Sequence, residues 1–366
     1  MAATQLGRQD LVGGIRKYLD KGRRAPDAVR FHVPSAGGGW DQVTWGEVLE
    51  RATELALWLD AVGVTAGTKV SVLATTCVEW AWIVPSLEAV RAVLVPVDPS
   101  STADQVRYIV DQSDSELLFV EKALLPKVLE RWAGYPKLRH VVVWDLETKA
   151  ELNTIVAGFN TGRSEPVCAT AVADRVRGLG AVQVAGRSFE EADPHGIDAL
   201  AAAIAEDDLA AIVYASGATG VPQGAMLTHA NLWAATRGWY QALADAAPPA
   251  GDRRDILWLP VSHLAGWGSL GQGTRFEYET WLATPRTLLG VLGEVRPTTL
   301  CGLPAWWGEL YTLARDASDD PAAQRAALRR LTGGALRLLL SGGAGLEREV
   351  KDFFAAAGMP LIESGG

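Results

Sequence analysis

The chain has 366 residues, 48% of them hydrophobic and 21% charged, with a formal net charge of −9. That length supports more than one compact core, and that composition excludes a disordered or fibrous chain. The negative balance argues against generic binding to a nucleic-acid backbone, although a local loop can still hold a small anion.

The three cysteines, Cys77, Cys168 and Cys301, are odd in number and far apart, so no disulfide framework is expected and a reducing compartment fits. No apolar run is long and charge-free enough to span a bilayer. Arg8, Asp10, Arg16 and Lys17 interrupt the apolar core that a signal peptide needs at the start of the chain. The expectation is a cytoplasmic protein.

In chain order, Thr44 to Val62 predicts an amphipathic helix. Thr44 and Glu47 have capping-box spacing, Val48, Leu49, Leu55, Leu59 and Val62 share one face, and Gly63 supplies the stop. Lys69 to Ala74 predicts a strand, Glu79 to Val90 a helix, Ala92 to Val97 a strand, Thr102 to Gln112 a helix, and Glu116 to Val120 and Arg139 to Trp144 two further strands. Between Glu147 and Asp193 polar residues and glycines mix without a period, which predicts an irregular connection. Order returns with a helix over Asp198 to Ala205 and a strand over Leu209 to Ala215. Strands follow over Asp255 to Leu259, Thr298 to Cys301 and Arg337 to Leu340, then a helix over Glu347 to Ala357. This alternation predicts an α/β fold: parallel-rich sheets with helices on both faces. Two α/β subdomains are expected, over 1–195 and 196–366.

The most informative segment follows the strand Leu209 to Ala215: Ser216-Gly217-Ala218-Thr219-Gly220-Val221-Pro222-Gln223-Gly224. Glycines let successive backbone N–H groups point at an anion, and hydroxyls add donors, so such a loop can cradle a triphosphate. Taken alone it also serves as a plain tight connection. It is neither a P-loop, which needs Gly-Lys followed by Ser or Thr, nor a nucleophile elbow. Thr228 is placed to cap a helix starting near His229.

This segment resembles the phosphate loop of the acyl-adenylate-forming superfamily, which includes acyl-CoA synthetases, luciferases and peptide-synthetase adenylation domains. The family pattern is roughly Tyr-Thr-Ser-Gly-Thr-Thr-Gly-x-Pro-Lys-Gly. Tyr214, Ser216, Gly217, Thr219, Gly220, Pro222 and Gly224 match it. Ala215 and Ala218 replace hydroxyl residues, and Gln223 replaces the lysine, so a charge-assisted contact to phosphate becomes a neutral one. Three more segments match in order. Trp258 to Gly266 resembles the motif in which a histidine or aromatic residue lines the carboxylate and acyl site. Arg296 to Trp307 resembles a stretch of long-chain fatty acyl-CoA synthetases. Leu340 to Gly345 resembles the turn that packs against adenine.

The resemblance implies a layered large N-terminal domain of an acyl-CoA synthetase. It implies that Ser216, Gly217, Thr219, Gly220, Gln223 and Gly224 hold ATP phosphates, and that Gly342, Gly343 and Ala344 contact the nucleotide. His263, Trp258 and Gly266 are then the substrate-binding residues. Glu363 and Ser364, in the strand that leads, in the family, to a threonine and a magnesium-binding glutamate, are then cofactor-binding residues as well. The cofactors implied are ATP/AMP and Mg2+, with CoA as co-substrate and a fatty acid or other carboxylate as substrate. As the sequence ends at Gly366, the small C-terminal domain with its catalytic lysine is expected to be absent. Little activity is then expected, with a homo-oligomer or a separate C-terminal partner as the assemblies to consider. The alternative is a non-catalytic acyl/nucleotide-binding or scaffold homologue.

Two other patterns in the chain point away from this reading but do not hold. Gly266-Trp267-Gly268-Ser269-Leu270-Gly271 fits Gly-x-Gly-x-x-Gly, but Pro260 to Ala265 separate it from its strand and no clean βαβ unit follows. The five scattered histidines and three cysteines show no metal-ligand spacing.

Overall fold

The computed structural model describes residues 14–215, 221–246 and 248–363. Its strands, in chain order, are β1 (Val29–Pro34), β2 (Trp40–Thr44), β3 (Lys69–Leu73), β4 (Val93–Val97), β5 (Leu117–Glu121), β6 (His140–Trp144), β7 (Val176–Gly178), β8 (Leu209–Ala215), β9 (Gln223–Thr228), β10 (Arg254–Leu257), β11 (Glu279–Leu282), β12 (Thr299–Gly302), β13 (Leu338–Ser341) and β14 (Leu361–Glu363). They fall into two compact units. One is Gly46–Trp233 with the helix Gly14–Arg24; the other is Ala25–Trp45 with the chain from Ala234 onward.

The first unit is built on a seven-stranded sheet in the order β7-β6-β5-β3-β4-β8-β9. Every pairing is parallel except β8 with β9. The sequences explain this. Val93–Val97 and Leu117–Val120 are apolar without interruption and fully buried, as strands covered on both faces must be. Alternate side chains serve one face: Val93, Val95, Val97, Leu118, Val120, Val141 and Val143 share a core with Val106, Ile109 and Val110 of the helix Ala103–Gln112. That helix opens with a capping box: Thr102 Oγ1 accepts from Gln105 N–H at 3.3 Å, and Gln105 Oε1 accepts from Thr102 N–H at 2.8 Å.

The expected helix over 44–62 is Trp45–Ala61, and the expected strands from Lys69 to Trp144 all form. Strand β8, expected in the second half of the chain, pairs with β4 and so belongs to the sheet of the first unit. The chain passes from this unit to the other after Trp233 rather than near residue 195. The stretch 147–193 corrects the expectation of an irregular connection. It holds the helices Lys149–Asn160, Ala169–Arg175 and Leu179–Ala192 and the edge strand β7. Their period is hard to see because each buries a thin stripe, such as Leu152 and Val156, or Val172 alone. A local signal did exist: Thr148 Oγ1 accepts from Glu151 N–H at 3.1 Å, a helix cap readable from spacing.

The second unit has two sheets, β10-β11-β1-β2 and β12-β13-β14. All pairings are parallel except β1 with β2. Its core gathers Ile256, Leu259, Leu292, Leu300, Trp307, Leu339 and Phe354. Thr298 N–H donates to Arg254 O at 2.9 Å and joins the starts of β10 and β12. The helix expected over 347–357 is Arg348–Ala356.

Candidate functional site

In the first unit, Gln223 and Gly224 open β9, with Ala215 opposite Gln223 and Tyr214 opposite Gly224. Ser216, Gly217, Thr219 and Gly220 lie outside the described residues, as does Ser364. The stem of the loop is pinned on both sides. Tyr108 O–H donates to Pro222 O at 3.1 Å, and Tyr214 O–H donates to Gln112 Oε1. Burial pushes the Tyr214 phenol up to about 12. Gly224 has no room for a side chain, because a Cβ would stand 2.6 Å from Ile212 Cγ2 and 3.1 Å from Tyr214 Cζ. Gln223 itself is exposed at the mouth of the hairpin. The strand then runs into the helix His229–Ala246 through a reciprocal cap: Thr228 Oγ1 accepts from Asn231 N–H at 3.1 Å and Asn231 Oδ1 from Thr228 N–H at 3.0 Å. Thr228 thus caps the helix as its position predicts.

In the second unit, the remaining motifs follow the C-terminal ends of parallel strands, where open α/β sheets bind ligands. Trp258 follows β10, Leu303 follows β12, and Gly342 follows β13. Hydrogen bonds bring these three segments together. Trp258 Nε1–H donates to Cys301 O at 2.8 Å, and Gly342 N–H reaches Gly302 O at 3.4 Å. The Trp258 and Trp306 rings lie 5.5 Å apart. Trp258 is therefore a buried strut as well as a motif residue.

His263 is exposed at the N-cap of the helix Leu264–Arg275, with extended backbone and its carbonyl accepting from Trp267 N–H at 2.9 Å. Gly266 lies one turn in. A Cβ there would stand 2.1 Å from Pro260 O and 2.7 Å from Leu259 O, so glycine is what lets this helix fold back onto the segment before it. The whole Gly266 to Gly271 run is helical, which removes the loop a dinucleotide fingerprint requires.

Gly343 takes φ +89°, a conformation that favours glycine, and turns the chain after Ser341. Ala344 follows in the same exposed turn. The Ser341 hydroxyl, just before the turn, is buried with no hydrogen-bond partner among the described residues. Glu363 is tied to this turn. Its Oε1 accepts from Leu346 N–H at 2.8 Å, and its Oε2 pairs with Lys351 Nζ at 2.9 Å. Those two partners, Lys351 first, hold its carboxyl below the usual range. Glu363 thus braces the turn through an ion pair. Sequence reasoning missed Lys351 because the pair spans a helix and a strand, and it missed Tyr108 and Gln112 for the same reason. Cys301 serves here through its carbonyl rather than its thiol.

A cavity of about 150 Å³ is lined by Asp252, Arg254 and Glu279. It sits at the start of β10 and β11, away from the C-terminal strand ends that carry the motifs. Among the described residues no group of three or more His, Cys, Asp or Glu side chains could hold a metal ion.

A family model described as AMP-binding enzyme matches residues 20–366. The long-chain-fatty-acid–CoA ligase FadD15 of Mycobacterium bovis is 27% identical across the whole of this chain. A carboxylic acid reductase of Mycobacterium tuberculosis is 26% identical, again across the whole chain. The chain spans 62% of the length of the first relative and 32% of the second. Among solved structures, the A domain of a carboxylic acid reductase from Segniliparus rugosus, in complex with AMP and a carboxylic acid, superposes with a TM-score of 0.74. It is 20% identical over 97% of this chain and 60% of that one. With its mixed α/β architecture, its motifs and the family match in agreement, the chain belongs to the AMP-binding enzyme family.

Proposed function

We propose that this chain binds ATP or AMP together with a carboxylic acid, as the N-terminal part of an AMP-forming acyl-CoA synthetase that activates long-chain fatty acids. In that reaction the carboxylate attacks the α-phosphate, pyrophosphate leaves, and CoA thiol then takes the acyl group and releases AMP. The observation that carries the reading is the junction of three motifs at the ends of β10, β12 and β13, through Trp258 with Cys301 and Gly342 with Gly302. The orphaned Ser341 hydroxyl beside the turn offers a donor to a nucleotide.

In this reading the Gly342-Gly343-Ala344 turn accommodates the adenine. His263, at the mouth of its helix, faces the carboxylate, and Gly266 keeps that helix close. Ser216, Gly217, Thr219, Gly220 and Gly224 supply the phosphate loop. Chemistry of this type rests mainly on positioning and charge neutralisation. Gln223 supplies a neutral donor where the family pattern has a cation, so weak adenylation is expected of this chain by itself. Magnesium, which the family resemblance implies, would be held mainly by the nucleotide phosphates and would neutralise their charge. The same neutral Gln223 favours a second reading, a homologue that binds acyl-adenylate without making it.

Calorimetric titration with a non-hydrolysable long-chain acyl-adenylate analogue, with AMP as control, tests the proposal. Binding tighter than AMP supports a formed acyl and nucleotide site. Equal or absent binding removes the acyl-activating reading.

A further inference from the structure

The second unit buries a charged cluster that the proposed chemistry does not use. Arg30, on β1, is fully buried. Its Nη1 donates to Tyr278 O at 3.0 Å and to Thr280 Oγ1 on β11. Its Nη2 donates to Thr274 Oγ1 at 3.2 Å and reaches Leu270 O at 3.4 Å, both on the helix Leu264–Arg275. Thr280 in turn donates to Asp255 Oδ1 on β10. Gly273 makes the approach possible, since a Cβ there would stand 2.9 Å from Arg30 Nη2 and 3.3 Å from Asp255 Oδ2. The guanidinium carbon lies 4.1 Å from the Phe31 ring centroid and 5.3 Å from that of Trp45.

Burying a guanidinium and a carboxylate is costly, and an apolar cluster of similar volume would stabilise a core as well or better. What the ionic cluster adds is direction. Through Nη1, Arg30 holds β11 and, by way of Thr280, Asp255 of β10; through Nη2 it holds the helix Leu264–Arg275, while its Nε has no hydrogen-bond partner among the described residues. Strand β10 and that helix are the two flanks of the segment Trp258 to His263. Asp255 lies on the strand that enters the segment, and Leu270 and Thr274 lie on the helix that leaves it. His263 is the N-cap of that helix.

We infer that Arg30 is a positioning residue: through Thr280 and Asp255 on one side and Leu270 and Thr274 on the other, it clamps both flanks of the segment and so sets where the His263 ring stands. That His263 faces a carboxylate rests on the function proposed above; the clamp itself does not.

The test separates the two. The ring signals of His263 in the free protein, assigned with His263→Gln, report its placement without any ligand. Signals of His140, His195 and His229, which belong to the other unit, serve as references. Arg30→Lys keeps part of the donor set, Arg30→Met removes it, and Thr274→Val deletes one contact without stranding a charge. The expected result is a shift or broadening of the His263 signals in the order Arg30→Met, then Arg30→Lys and Thr274→Val, with the three references unmoved. Affinity for the acyl-adenylate analogue should fall about 10- to 100-fold in Arg30→Met, as misplacement by an ångström costs, with partial rescue by lysine. Should Arg30→Met fail to fold, the two milder variants decide. Unmoved His263 signals in folded variants, or equal movement of His263 and the three reference histidines, overturn the clamp. Moved signals without analogue binding by the parent protein leave the clamp standing and remove the proposed function instead.

Discussion

The ring of Tyr214 closes over Gly224. The two residues are paired across β8 and β9, and a methyl group on Gly224 would enter the ring edge at 3.1 Å and the Ile212 side chain at 2.6 Å. Gly224 is thus the floor on which the stem of the glycine-rich loop is packed, while Tyr214 reaches on to Gln112.

Gly224→Ala should therefore destabilise the first unit by about 1–3 kcal/mol, the usual cost of overpacking. Urea unfolding of the variant checks this. Tyr214→Phe, which keeps the ring and loses one hydrogen bond, should cost about 1 kcal/mol. Equal stability of Gly224→Ala and the parent would mean that the hairpin yields without strain.

Gln223→Lys should strengthen ATP binding by about tenfold, since a charge-assisted contact to phosphate is worth roughly twice a neutral one. The gain should shrink as salt rises, because Gln223 is exposed. Calorimetry with ATP at low and high ionic strength reads both effects. A gain that is absent at low salt would place residue 223 away from the phosphates.

Gly186 in the helix Leu179–Ala192 abuts the backbone of Glu54 in the helix Trp45–Ala61: a Cβ would stand 1.8 Å from Glu54 O. Backbone cannot rotate aside as a side chain can. Gly186→Ala should cost about 3 kcal/mol or more and lower the midpoint of thermal unfolding. It should also disturb the ion pair of the buried Glu54 with Arg187, now 2.6 Å. An unchanged midpoint would show that the two helices separate at little cost.

Asp255 gives the pH dependence. Burial pushes its carboxyl from 3.8 up to about 6, against the opposing pull of Arg30. The folded protein therefore holds a proton that the unfolded chain has already lost. The stability this group contributes is full below pH 3.8 and is lost as pH rises through about 6. Asp255→Asn cannot titrate. From about pH 4 to pH 7 the parent should lose roughly 2 kcal/mol relative to this variant. Urea unfolding of both proteins at several pH values measures the difference. A difference that stays constant with pH would place the Asp255 titration at its ordinary value.

The sequence by itself determined the class of fold and the order of the motifs. Apolar runs such as Val93–Val97, caps such as Thr102 with Gln105, and glycine-rich turns are local signals, readable because backbone geometry and burial act within a few residues. The same local reading failed over 147–193, where each helix buries too thin a stripe to show a period. Tertiary structure alone decided which partners each motif meets. Arg30 with Thr280, Trp258 with Cys301, and Lys351 with Glu363 are joined across elements that only the packing of strands and helices brings within hydrogen-bond reach. These bonds follow three-dimensional distance, and no spacing along the chain encodes them.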